Sequence, residues 1–114
     1  MTKERKDFIL SIFRSYKANK QYLKFASTKR AEDMTDEEKA YIDDLKKKVD
    51  VVDYILNGEG YQDPNKKNFV VGHLINGQSQ KRVSFGCYVS ERSLWRWRVD
   101  IFNHADARLK TVGM

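Results

Sequence analysis

The stretch Gln80-Lys81-Arg82-Val83-Ser84-Phe85-Gly86-Cys87-Tyr88-Val89-Ser90-Glu91-Arg92-Ser93-Leu94-Trp95-Arg96-Trp97-Arg98 decides how this chain is read. Its pattern predicts two helices joined by a tight turn, with arginines crowding the second. That is the layout of a helix-turn-helix, which makes double-stranded DNA the first partner to consider. Counting from Gln80, such a crossing needs apolar residues at the fourth, eighth, tenth, fifteenth and eighteenth positions and a small residue at the fifth; these are Val83, Cys87, Val89, Leu94 and Trp97, with Ser84 at the close approach. Ser90 stands where it can cap the second helix. The ninth position, where glycine usually allows a left-handed backbone, is Tyr88, while Gly86 lies two residues earlier. A bulky residue in that conformation costs on the order of 1 kcal/mol, so a longer or shifted turn is expected.

On a helix beginning at Glu91, residues Leu94, Trp97 and Ile101 share one face and should pack inward. Glu91, Arg92, Trp95, Arg96 and Val99 fall on the other. Arginine there can hold guanine O6 and N7 in a bidentate grip, and glutamate can accept from cytosine N4, so Glu91, Arg92, Trp95 and Arg96 are the candidate base readers. Lys81, Arg82, Ser90 and Arg98 are the candidate phosphate contacts, which fix register without reading sequence. The competing reading keeps the helix but makes both tryptophans core and the arginines merely solvated.

Working outward, Phe8, Ile12 and Tyr16 recur at intervals of four, with Ile9, Phe13 and Leu23 extending the stripe, which predicts one helix over residues 3 to about 26. A polar break from Ser27 to Asp33 follows. Thr35 with Glu38 forms a capping box, and Tyr41, Ile42, Leu45, Val49, Val52, Ile55 and Leu56 carry a second helix to a stop at Asn57-Gly58. After a loop from Glu59, Asp63-Pro64 starts a short third helix through Phe69, Val70, Leu74 and Ile75, ended by Asn76-Gly77. Ser79 can cap the fourth helix, and the fifth runs from Glu91 to about Leu109. The expectation is an all-α fold of about five helices: residues 1–62 as a helical pair for dimer or partner contacts, and 63–114 as the DNA-binding region, together forming one domain.

Composition narrows the classes. A chain of 114 residues with 40% hydrophobic and 12% aromatic residues can bury one core and leaves little room for an interdomain cleft. The single Cys87 allows no internal disulfide, which fits a cytoplasmic setting. The apolar run behind the N-terminus is broken by Ser11 and Arg14, so neither a signal peptide nor a membrane span is expected. Charge is segmented: residues 1–30 hold nine Lys/Arg and two Asp/Glu, residues 31–63 four and eleven, residues 64–114 nine and three. Two basic segments flank an acidic one, and the last gathers its cations around a helix-helix turn, which favours a phosphate-facing surface. His73, His104 and Cys87 lack paired metal-ligand spacing, so neither a metal nor a cofactor is expected. With no glycine-rich phosphate loop, nucleophile elbow or base-nucleophile pair in the chain, an enzyme is not expected either.

The segment from Asn76 to Val83 followed by Val89 to Arg98 resembles the sigma-factor region-4-like helix-turn-helix of small phage transcriptional regulators of the ArpU and RinA type. The resemblance covers about the final 40 residues. It implies a non-enzymatic, sequence-specific regulator encoded by a phage or prophage and acting in the bacterial cytoplasm. It carries base reading onto Glu91, Arg92, Trp95 and Arg96, while Cys87 and Tyr88 depart from the usual Leu-Gly and leave the subfamily open. Such a protein works as a homodimer or against RNA polymerase, because one helix-turn-helix covers little DNA. Two alternatives remain: a small-terminase-like DNA-packaging subunit, and an adaptor that binds polymerase or sigma factor without touching DNA.

Overall fold

The structure is a computed structural model that describes residues 1–58, 63–87 and 89–114. The loop that the sequence places at Glu59 to Gln62, the turn residue Tyr88 and the side chain of Cys87 lie outside the described residues. The described residues are all-α. Helix α1 is Lys3–Arg14, α2 Tyr16–Ala26, α3 Asp36–Asn57, α4 Pro64–Phe69, α5 Gln80–Cys87 and α6 Glu91–Thr111. A 3₁₀ turn occupies Ala31–Asp33, and a π-helical segment, Val70–Ile75, continues α4.

The helix expected over 3–26 is two helices meeting at Ser15. The Ser15 hydroxyl donates to the Ser11 carbonyl at 2.7 Å, the same oxygen that accepts the Ser15 backbone N–H at 3.0 Å. A hydroxyl competing for an i−4 carbonyl loosens a helix at that turn. Elsewhere the starts follow the capping chemistry. Thr2 accepts from Arg5 N, Thr35 from Glu38 N, and Asp63 from Asn65 N with Pro64 behind it. Helix α3 ends at Asn57 as expected, but Gly58 is extended (φ −69°, ψ 149°), so a left-handed glycine is not what stops it. Gly77 does take that role, with φ 75° after the π segment.

One apolar core draws on every helix. Ile9, Ile12 and Phe13 from α1, Val51, Val52 and Ile55 from α3, Phe69, Val70 and Leu74 from α4 and the π segment, and Leu94, Ile101 and Leu109 from α6 are all essentially inaccessible. Full burial of each such side chain contributes about 1.5–3 kcal/mol. Ion pairs fasten α6 to its neighbours, the two shortest being Arg5 Nε to Asp106 at 2.6 Å and Arg108 Nε to Asp50 at 2.9 Å. The Arg5 pair holds the Asp106 carboxyl below the usual carboxylate range. Among the described residues no helix is long and apolar enough to cross a membrane.

Candidate nucleic-acid interface

The joint between α5 and α6 is fastened by Ser84, the residue expected at the close approach. Its hydroxyl donates to the carbonyl of Val89, and its own carbonyl accepts the Val89 N–H at 3.3 Å. Alanine there would lose that hydroxyl bond to the Val89 carbonyl. Ser90 then caps α6, its hydroxyl accepting from Ser93 N at 3.2 Å, while Ser79 accepts from Arg82 N at 3.2 Å at the start of α5. Gly72 sets how α5 meets the π segment, because a Cβ there would lie 3.3 Å from Val83 Cγ2 and 3.1 Å from Gln78 Oε1.

With its start fixed, α6 has a defined phase. Leu94 and Ile101 are fully buried, and Val83 and Val89 pack on the same core. Trp97 is half-buried, its ring 6.2 Å from Phe69 and beneath the Lys66 ammonium at 5.9 Å. The other face carries Glu91, Arg92, Trp95, Arg96 and Val99, all exposed, with Trp95 at 61%. The two tryptophans thus point apart, and the candidate base readers share one accessible strip. Arg92 and Arg96 make no ion pair or side-chain hydrogen bond among the described residues, unlike Arg5 and Arg108, which are paired to aspartates. Glu91 sits in the first turn, where the helix dipole favours a carboxylate.

Lys81 and Arg82 are exposed on α5. Lys81 lines a shallow groove with Ser84, Phe85, Val89 and Glu91, and Phe85 is 72% exposed there. Sequence reasoning gives Phe85 no role. Its signal was its phase: two residues beyond buried Val83, it must face away from the core.

Arg98 sits elsewhere than beside Lys81 and Arg82. It lines a second groove with Met1, Lys6, Trp95 and Val99, lies 4.9 Å over the Phe102 ring, and donates from Nη1 to His73 Nε2 at 2.8 Å. His73 is nearly buried, stacks on Phe69 at 5.4 Å, and places Nδ1 2.6 Å from the Gln78 carbonyl. These two bonds define a neutral imidazole that donates from Nδ1 to Gln78 and accepts at Nε2 from Arg98. Burial pushes the His73 pKa below its ordinary value, and the neighbouring Arg98 and Arg14 charges add to the shift. Burial likewise lowers that of Arg98, with Arg14 contributing. His73 therefore links the end of the π segment to the middle of α6, a role its isolated position in sequence does not announce. His104 faces Asp100 at 3.9 Å on the outer surface of α6.

No protein-family model matches the chain, and no curated protein and no solved structure is significantly similar to it.

Proposed function

We propose that this chain is a sequence-specific DNA-binding transcriptional regulator that lays α6 in the major groove. In this reading Arg92 and Arg96 hold guanine edges, Glu91 accepts from cytosine, and Trp95 packs on a base or thymine methyl. Lys81, Arg82 and the Ser90 end of α6 contact phosphates. The observation that carries the proposal is the exposed strip of α6. Two guanidinium groups without partners among the described residues flank an accessible tryptophan on a helix whose opposite face is locked into the core and whose start is fixed by Ser84 and Ser90. A helix with a fixed backbone bearing free donors suits base recognition, since little backbone ordering remains to be done on binding. The resemblance to sigma region-4-like phage regulators adds the expectation of phage or prophage gene control, with a second copy or RNA polymerase supplying the rest of the footprint.

The test is selection of bound sequences from a random duplex pool. An enriched motif is expected, palindromic where two copies bind. A chain that enriches no sequence, and shows no salt-dependent affinity for random duplex, overturns the proposal.

A further inference from the structure

Three cations gather where α1, α2, the π segment and α6 meet. Arg14 Nε donates to the Leu74 carbonyl at 2.9 Å, Arg98 Nη1 to His73 Nε2 at 2.8 Å, and Lys17 Nζ to Asn76 Oδ1 at 2.6 Å. Two guanidinium groups are thus anchored on consecutive residues. Gly77 leaves room for one of them: a Cβ there would fall 3.0 Å from Arg14 Nη1. All three acceptors are neutral. Several other cations are instead held by carboxylates, as in Arg5–Asp106, Arg108–Asp50 and Lys20–Asp53. Holding two like charges together, one of them half-buried, is costly without a counter-ion. A guanidinium has five N–H donors, and each of these two uses one among the described residues, so most remain available. Arginine forks of this kind match the geometry of phosphate oxygens. Arg14 and Lys17 are exposed, and Arg98 lines a groove with the exposed Trp95 of α6, so the cluster opens to solvent beside the strip described above.

We propose that Arg14 and Arg98, flanked by Lys17, form a site for one phosphate-type oxyanion, and that in a DNA complex it receives a backbone phosphodiester. The second half of this proposal rests on the DNA-binding reading; the first does not.

The experiment titrates inorganic pyrophosphate into the ¹⁵N-labelled full chain and follows the arginine Nε–H resonances. Those of Arg14 and Arg98 should move together and saturate, while that of Arg5, engaged by Asp106, stays still. Arg14→Gln, an exposed change whose fold is checked by circular dichroism, should abolish the response at Arg98, and Arg14→Lys should restore part of it. Unmoved Arg14 and Arg98 resonances, or non-saturating drift shared by all arginines, overturn the site. A duplex arm separates the two claims, with Lys81→Ala as the control for DNA binding. There Arg14→Gln should flatten the slope of log affinity against log salt by about one unit. Pyrophosphate binding without duplex binding keeps the anion site and removes DNA as its source. Duplex binding that depends on Lys81, with a slope indifferent to Arg14→Gln, removes the phosphodiester from this site.

Discussion

Trp95 and Trp97 are two residues apart, so a single pair of substitutions tests the phase of α6. Trp97 is half-buried against Phe69, 6.2 Å away, with Lys66 over its ring. Truncation of a fully buried tryptophan costs about 3–5 kcal/mol. Because part of the indole already faces solvent, the transfer share is reduced, leaving about 2–3 kcal/mol, in which the Phe69 contact accounts for roughly 0.5–1.5. In a chain of this size that is a fall in Tm of roughly 8–15 °C. Trp95 is 61% exposed, so Trp95→Ala should cost less than about 1 kcal/mol while weakening duplex binding. Urea unfolding followed by far-ultraviolet circular dichroism, insensitive to loss of indole fluorescence, gives the stabilities; fluorescence anisotropy of a labelled duplex gives binding. If Trp95→Ala is the more destabilised variant, or the two lose equal stability, α6 is rotated from the phase described and the base-reading strip is misassigned.

Further outcomes follow from the same geometry. Arg92→Ala and Arg96→Ala should leave the fold intact and lose discrimination at particular base pairs by about 1–3 kcal/mol each; binding profiles across a substituted-site panel identical to the parent would refute the assignment. Lys81→Ala and Arg82→Ala should weaken cognate and random duplexes by similar factors and flatten the salt slope by about one unit, as affinity measured at several salt concentrations would show. The neutral His73 ring gives the fold a pH dependence of known sign. Its folded pKa is lowered from 6.5, so as pH falls through that value the unfolded ring takes up a proton that the folded one resists. The stability contributed by keeping the ring neutral is therefore full above about pH 6.5 and declines below it, and His73→Gln should remove that limb from a plot of unfolding free energy against pH.

The helix starts were legible because capping is local chemistry: Thr35 with Glu38, Asp63 with Pro64, and Ser90 all sit within one turn of the groups they satisfy. The facing of α6 was legible for the same reason, since a fixed start sets the phase of every later residue. What the sequence concealed depends on competition or on distance. At Ser15 apolar periodicity runs unbroken, but a hydroxyl contests its own backbone's acceptor. Val51 lies off the narrow stripe of α3, yet it is fully buried because α1 and α6 both pack against that helix and widen its buried arc. Arg98 was expected among the phosphate contacts beside Lys81 and Arg82. Its partner His73 is 25 residues away, and a long side chain can turn from helix surface to interior without disturbing helical spacing.

The segmented charge acquires a physical meaning once pairs are assigned. Within α3, Asp43 and Asp44 pair with Lys47 and Lys48 of the same helix, at 3.4 and 3.0 Å. Asp50 and Asp53 reach across to Arg108 and Lys20. Asp100 and Asp106 serve Lys66, Arg5 and Lys110. These six aspartates are thus committed to cations of α1, α2, α3, α4 and α6. Exposed pairs of this kind add little stability, a median of about 0–1 kcal/mol each. Their larger consequence is where they leave the field. Across α5 and the first two turns of α6, the cations Lys81, Arg82, Arg92 and Arg96 have no aspartate against them among the described residues, and Glu91 is the one acid of that stretch of sequence. Arg14, Lys17 and Arg98 extend the same imbalance around the flank of α6. A net charge of +6 spread evenly would be screened within about 10 Å at ordinary salt, whereas a local cluster of uncompensated cations makes a local potential, which on the proposed DNA-binding reading would orient a polyanion before contact.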